Sequence, residues 1–306
     1  MVKSSIFYIL IITQNHDMKT LFLNDEIISN TSDESIRNRL EGLSLEAIAI
    51  SNVIDVFRGI LPDLTKKISE TLDTLSFYKE SNSPEIKDLL SDYKDLEKKL
   101  SLINYVEKKD LLISIPEGFK GNLVDYITLL ESMSNKIYPE ANKLLMSYKL
   151  ILTGFLTSKD QKISLTDHTN FFNSIKRDRE GFISTLFSFQ TSNNASKARL
   201  RDSINKINDV DILVKKTEVI NKLRNNNSIK ELVSTVSEIS KLLDTIIDRV
   251  SKGDVNNISG ASAKNLSEGA YEVAKYIEFV AIFNFKVEQI TTTTIKLVKQ
   301  LSNEIK

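Results

Sequence analysis

The chain offers imidazole chemistry at only two positions, His16 and His168, and neither has a partner at a working spacing. A histidine metal site needs a second ligand on the same face, and a Ser-His-Asp arrangement needs a nucleophile placed beside its base. No His-x-x-x-His or Glu-x-x-His pair occurs. His168 lies in Thr166-Asp167-His168-Thr169-Asn170, near an expected helix start, and reads as a surface or capping residue. With no cysteine in the sequence, disulfides, thiolate metal sites and cysteine nucleophiles are excluded. No Gly-x-x-x-x-Gly-Lys-Ser/Thr or Gly-x-Gly-x-x-Gly run is present to cradle a nucleotide. Gly118 and Gly121, after Pro116, are expected to make a turn. Carboxylates are plentiful, but carboxylate metal sites in helical bundles use Glu-x-x-His motifs. The expectation is a non-enzymatic protein with no catalytic residue, no cofactor and no metal ligand.

The strongest pattern is architectural. Ile229, Leu232, Val236, Ile239, Leu243, Ile246 and Val250 alternate spacings of 3 and 4. That alternation keeps one apolar stripe on one side of a helix, as helix-on-helix packing requires. Val233, Leu242 and Ile247 widen the stripe beyond a two-stranded seam, so it is expected to be bundle core rather than a partner surface.

At 306 residues, with 41% hydrophobic and 27% charged, the composition is globular. Nine glycines and four prolines leave room for long uninterrupted helices. The expected fold is all-α: an elongated multi-helix bundle with antiparallel hairpins and little or no strand. Residues 1–30 read as an N-terminal arm or propeptide start, 31–110 as an N-terminal helical part, and 122–306 as a C-terminal bundle. In the first part, Thr31-Ser32-Asp33-Glu34 is a capping-box pattern. A helix from Ser44 is expected to be interrupted by Pro62 and to restart at Asp63. Ser83-Pro84-Glu85 starts a helix expected to reach about Tyr105. Leu111 to Ile115 is a strand or a buried extended link. In the second part, one helix runs from Asn122 with a new start at Pro139. Further helices are expected over 166–190, 196–224, 228–251 and 263–304. The short Asn225-Asn226-Asn227 break suggests that 196–224 and 228–251 fold back as an antiparallel hairpin.

Lys+Arg and Asp+Glu both number 41, so no whole-protein field attracts nucleic acid or anionic lipid. The charge is nevertheless uneven. Asp25 to Asp63 holds eight acids and three bases, and Lys197 to Arg224 holds eight bases and four acids. The basic runs Lys176-Arg177-Asp178-Arg179 and Lys197-Ala198-Arg199-Leu200-Arg201 lack interleaved aromatics, so nucleic-acid contact is at most weak and non-specific. The most apolar helix, around Tyr271 to Val287, is broken by Lys275, Glu278 and Lys286 and reads as buried rather than transmembrane. Ile6 to Ile12 mimics a signal core but is only seven residues long and lacks a small-x-small cleavage site, whereas Met18-Lys19-Thr20 reads as an ordinary beginning.

In this architecture and in two local passages the chain resembles the long helical virion proteins of large tailed phages, including those packed inside the head. Leu43-Ser44-Leu45-Glu46-Ala47 is similar to the small-x-Glu sites at which head-maturation proteases remove propeptides. On that resemblance Ser44, Glu46 and Ala47 mark a processing site. Ile115 to Leu123 resembles passages of phage proteins but carries no functional residue. The resemblance implies a structural or internally packaged virion protein that assembles with itself or with other virion proteins, and that passes through the host cytoplasm during assembly. The alternatives are a cytoplasmic helical adaptor or scaffold, and a helical membrane-active protein. Circular dichroism is expected to show more than about 45% helix, a threshold only modestly above the globular norm of about one-third; a lower value would exclude this fold.

Overall fold

The computed structural model describes residues 38–39, 50–80, 83–157, 176–184, 195–225, 228–255, 258 and 260–304. It is an all-α, multi-helix fold with one small two-stranded sheet. The helices are α1 (Ile50–Glu80), α2 (Ser83–Glu97), α3 (Tyr105–Lys108), α4 (Leu123–Thr157), α5 (176–184), α6 (Asp209–Asn225), α7 (Ser228–Lys252) and α8 (Gly260–Glu304). Strands β1 (Leu112–Pro116) and β2 (Ala195–Arg199) pair antiparallel, with Leu112 opposite Arg199 and Ser114 opposite Lys197.

Each long helix forms because its apolar residues recur at helical spacing and find a facing helix. On α1 these are Phe57, Ile60, Leu61, Leu64 and Ile68; on α2 they are Leu89, Tyr93 and Leu96. On α7 all seven seam residues, Ile229 through Val250, are buried, while Val233, Leu242 and Ile247 are partly buried against the same core. Helix α8 differs, since its 45 residues are buried on nearly every side. It packs on α1, α2, α4, α6 and β1. At 1.5 Å per residue it is about 65–70 Å long.

Side-chain pairs give the direction of each helix. Tyr148 reaches Leu266, Glu140 reaches Tyr276 and Tyr138 reaches Asn284, so α4 and α8 are antiparallel. Asn221 meets Thr291 and Thr217 meets Thr294, so α6 is also antiparallel to α8 and therefore parallel to α4. On α4, Lys149 pairs with Glu238 and the Leu156 carbonyl accepts from Arg249, so α7 runs the same way as α6. Arg58 reaches the Val250 carbonyl, Lys67 lies over Tyr271, and Tyr93 donates to Asp211 at the far end. Thus α1 and then α2 climb alongside α8. The molecule is a bundle of four rods: α1–α2, α4, α6–α7 and α8. The α1–α2 rod packs on α8 and on α6–α7, and α4 packs on the same two from the other side. One hydrophobic cluster runs through residues on both sides of β1.

Four sequence expectations change. Helices 196–224 and 228–251 do not fold back as a hairpin; α6 and α7 follow one another along α4. The seam is therefore buried by α1 and α4, which hold α7 over its whole length. Residues 196–208 are not α-helical but a strand followed by a 3-10 turn at Leu200–Asp202, because pairing with β1 and two backbone bonds, Leu200 to Leu111 and Arg201 to Lys109, outweigh the helical propensity of Lys, Ala and Arg. The helix from Ser83 stops at Glu97, and a 3-10 turn at Leu100–Leu102 and short α3 follow, tied down by Tyr105 donating to the Ile204 carbonyl.

Pro62 and Pro139 interrupt nothing. Each costs roughly 3 kcal/mol in a helix interior. Each also sits on an exposed face, flanked by residues that are packed on both sides, Ile60, Leu61 and Leu64 for one and Ile137, Tyr138 and Ala141 for the other. Near Pro62, the Gly59 carbonyl accepts from Arg39 Nη1, and Arg39 also pairs with Asp63 at 2.6 Å. Residues 1–30, the Thr31 capping box, the expected start at Ser44 and most of 158–194 lie outside the described residues.

Leu243 is fully buried between α1 and α4, so Leu243→Ala should cost about 2–5 kcal/mol through the cavity it leaves. Denaturant unfolding is expected to show that loss with the oligomeric state unchanged. An unchanged midpoint together with lost self-association would make the seam intermolecular.

Candidate functional site

Helix α8 carries polar residues into the core, and several of them meet a partner from another rod. Tyr138 Oη donates to Asn284 Oδ1 at 2.9 Å, and Asn284 Nδ2 donates to the Val280 carbonyl at 2.8 Å. Asn221 Nδ2 donates to Thr291 Oγ1 at 2.9 Å, and Thr217 Oγ1 donates to Thr294 Oγ1 at 3.2 Å. Thr291 and Thr294 in turn donate to the carbonyls four residues back, Val287 and Ile290, which is how threonine satisfies itself within a helix. Tyr148 Oη donates to the Leu266 carbonyl at 2.7 Å. An apolar stripe tolerates sliding by a turn, whereas a buried tyrosine or asparagine keeps its partner in one register only. These pairs fix how α4, α6 and α8 are staggered.

A buried charged cluster lies where α4, α5 and α8 meet. Arg179 Nη1 and Glu272 Oε2 form a buried ion pair at 2.9 Å. One turn further along α8, Tyr276 Oη donates to Glu140 Oε2 at 3.0 Å. Phe182 stacks on Phe279, centroids 6.2 Å apart, which seats α5 on α8 next to the ion pair. Burial pushes the Glu272 carboxyl above its ordinary range, and the Arg179 guanidinium opposes that shift. Burial, reinforced by Glu140, raises the Tyr276 phenol, so it stays a neutral hydrogen-bond donor. The ion pair and the stacked rings together clamp α5 to the bundle. Among the described residues no group of three or more His, Cys, Asp or Glu is placed to hold a metal ion.

Of the residues singled out in the sequence, the seven seam positions come together as core, while Ser44, Glu46, Ala47, His16 and His168 lie outside the described residues. The expectation of solvated basic runs holds for Lys176 and Arg177 but not for Arg179. In the second run, Arg199 and Arg201 are exposed and share Asp110, at 3.9 and 3.0 Å. Tyr271 to Val287 is part of the buried length of α8, and among the described residues no helix is long and apolar enough to cross a membrane. The α8 polar positions went unmarked because the partners of Glu272, Asn284 and Thr291 stand 70 or more residues away in sequence. Their only local signal is polar residues recurring inside an otherwise apolar helix. No protein-family model matches this chain, and no curated protein or solved structure is significantly similar to it.

Lys286 is buried within the same helix, and burial lowers it from 10.5 to about 8. At neutral pH its charge is held in the folded state at a cost. Folded protein binds fewer protons here than unfolded chain between about 8 and 10.5, so this group adds stability as pH rises through that window. Lys286→Met is expected to stabilise the protein by about 1–3 kcal/mol at pH 7. The gain should shrink as the pH rises toward 10.5, the lysine's ordinary value. Urea unfolding across that range checks it; a destabilised variant at pH 7 would show that the ammonium contributes net favourable contacts.

Proposed function

We propose that this chain is a non-enzymatic structural or internally packaged protein of a phage virion, acting through helical surfaces and self-association, with processing near Glu46. The observation that carries the non-enzymatic part is the use made of buried polar groups. Tyr138, Asn284, Asn221, Thr291, Tyr276 and Glu140 are taken up in pairs that join one rod to another, and no reactive group among these is left facing a cleft. Such pairing suits a building element whose shape is its function. The virion assignment is supported by the resemblance in architecture and by the Leu43-Ser44-Leu45-Glu46-Ala47 passage.

Mass spectrometry of purified particles tests this reading. Peptides of this chain are expected in the particle, with a mature N-terminus at Ala47. Absence from particles, with a stable partner recovered by pull-down, would overturn it in favour of an adaptor.

A further inference from the structure

The end of the bundle that carries the β1–β2 pair has an unusual surface. Leu102 is 73% exposed, Val106 69% and Leu112 50%, so three of the large exposed hydrophobic side chains fall within eleven consecutive residues. The same end is basic. Residues 98–112 and 197–206 hold eight bases against three acids, a balance of +5 in a chain whose total is zero. The two segments form one unit, joined by the strand pairing, by Leu200 N–H to the Leu111 carbonyl, by Arg201 N–H to the Lys109 carbonyl and by Tyr105 to Ile204. It sits at the extremity of the bundle, where Gln300 donates to the Leu112 carbonyl and Lys108 pairs with Glu304. Lys98, Lys99, Lys197, Arg199, Arg201 and Lys206 are all exposed there, and the acids Glu107, Asp110, Asp202 and Glu304 offset them only in part.

We propose that this end binds the surface of an anionic lipid bilayer, with Leu102, Val106 and Leu112 entering the headgroup layer and the surrounding bases facing lipid phosphates. The sheet register carries the argument: Leu112, Ser114, Lys197 and Arg199 share the outward face, so an apolar and two cationic side chains meet the same plane. Side chains that project this far suit a soft interface that they can enter, whereas protein hot spots fill pockets on both partners. A nucleic-acid backbone would use the bases but offers nothing to the projecting aliphatic groups. Anionic lipid uses both, since basic residues near such a surface add to the affinity of buried apolar area. This surface does not depend on the virion reading.

The test is co-sedimentation of the full chain with vesicles of phosphatidylcholine, with and without phosphatidylglycerol. The chain is expected to sediment with the anionic vesicles and not with the neutral ones, and to be released by added salt. The double variant Leu102→Gln/Val106→Gln should bind at least about tenfold more weakly, with its unfolding curve unchanged because both side chains are exposed. Lys197→Glu/Arg199→Glu should lose binding while keeping the aliphatic residues. No binding to anionic vesicles, equal binding to neutral ones, or undiminished binding by either variant would overturn the proposal. So would a vesicle-free self-association that the Gln variant abolishes, since the surface would then be a contact between two copies.

Discussion

Burial of α8 on nearly every side is the constraint on which the rest depends. A helix normally buries one stripe and leaves the other to solvent, so one neighbour, or two, suffices. Here the apolar residues of α8 are spread around its circumference, as Ala270, Tyr271, Val273, Ala274, Tyr276 and Phe279 are within three turns. No single partner covers such a surface. Helices α1, α2, α4 and α6 are laid along it, and β1 and α5 add to the cover. Their own stripes then face inward without further instruction. Only α7 stands off this axis, and it is held by α1 and α4 through its heptad seam.

Two rods are continuous and two are broken, and the breaks fall at one level. Asn221 meets Thr291 on the antiparallel α8, so the end of α6 lies near residues 284–288 of α8. Lys67 lies over Tyr271 on the parallel side, so at equal rise the end of α1 comes to the same place. At this level α4 carries Pro139 and the Tyr138–Asn284 bond, and α8 carries the buried Lys286. The ends of α1 and α6 and these buried polar groups thus share one cross-section. Above it the core is built from α2, α6, α4 and α8; below it from α1, α7, α4 and α8. The two unbroken helices carry the register from one half to the other, and their buried hydrogen bonds keep the halves from sliding.

What could be read in the sequence follows from the range of the interactions involved. Periodicity is local, so the helices, the seam of α7 and the apolar run of β1 were legible. Prolines were over-read, because the rule that they break helices counts the lost hydrogen bond and not the packing of Leu61, Leu64, Tyr138 and Ala141 around them. Strand β2 was missed since Ala-Ser-Lys-Ala-Arg has no strand character of its own and is extended only because β1 needs a partner. The α6–α7 arrangement failed for a related reason. A short polar break permits reversal but does not require it, and α4 offers a continuous groove that both helices can follow in line. The polar pairs of α8 were illegible, because each is a coincidence of two distant residues that only the finished bundle creates.

The charge distribution shows how far a sum over the chain can mislead for a molecule of this shape. Zero net charge means that the protein as a whole carries no excess of either sign. Screening, however, limits each charge to about 8–10 Å at physiological salt, a small fraction of the roughly 65–70 Å spanned by α8. The balance felt at one end is therefore set by residues at that end alone. Folding brings the bases of 98–112 and of 197–206 together through the β1–β2 pairing, although almost a hundred residues separate them in sequence. The acidic excess of Asp25 to Asp63 cannot neutralise them where its charges lie more than a screening length away, as Asp55 and Asp63 do on the far half of α1. In an elongated bundle, electrostatic character belongs to the ends and faces that topology assembles, and it is from those local sums that binding has to be argued.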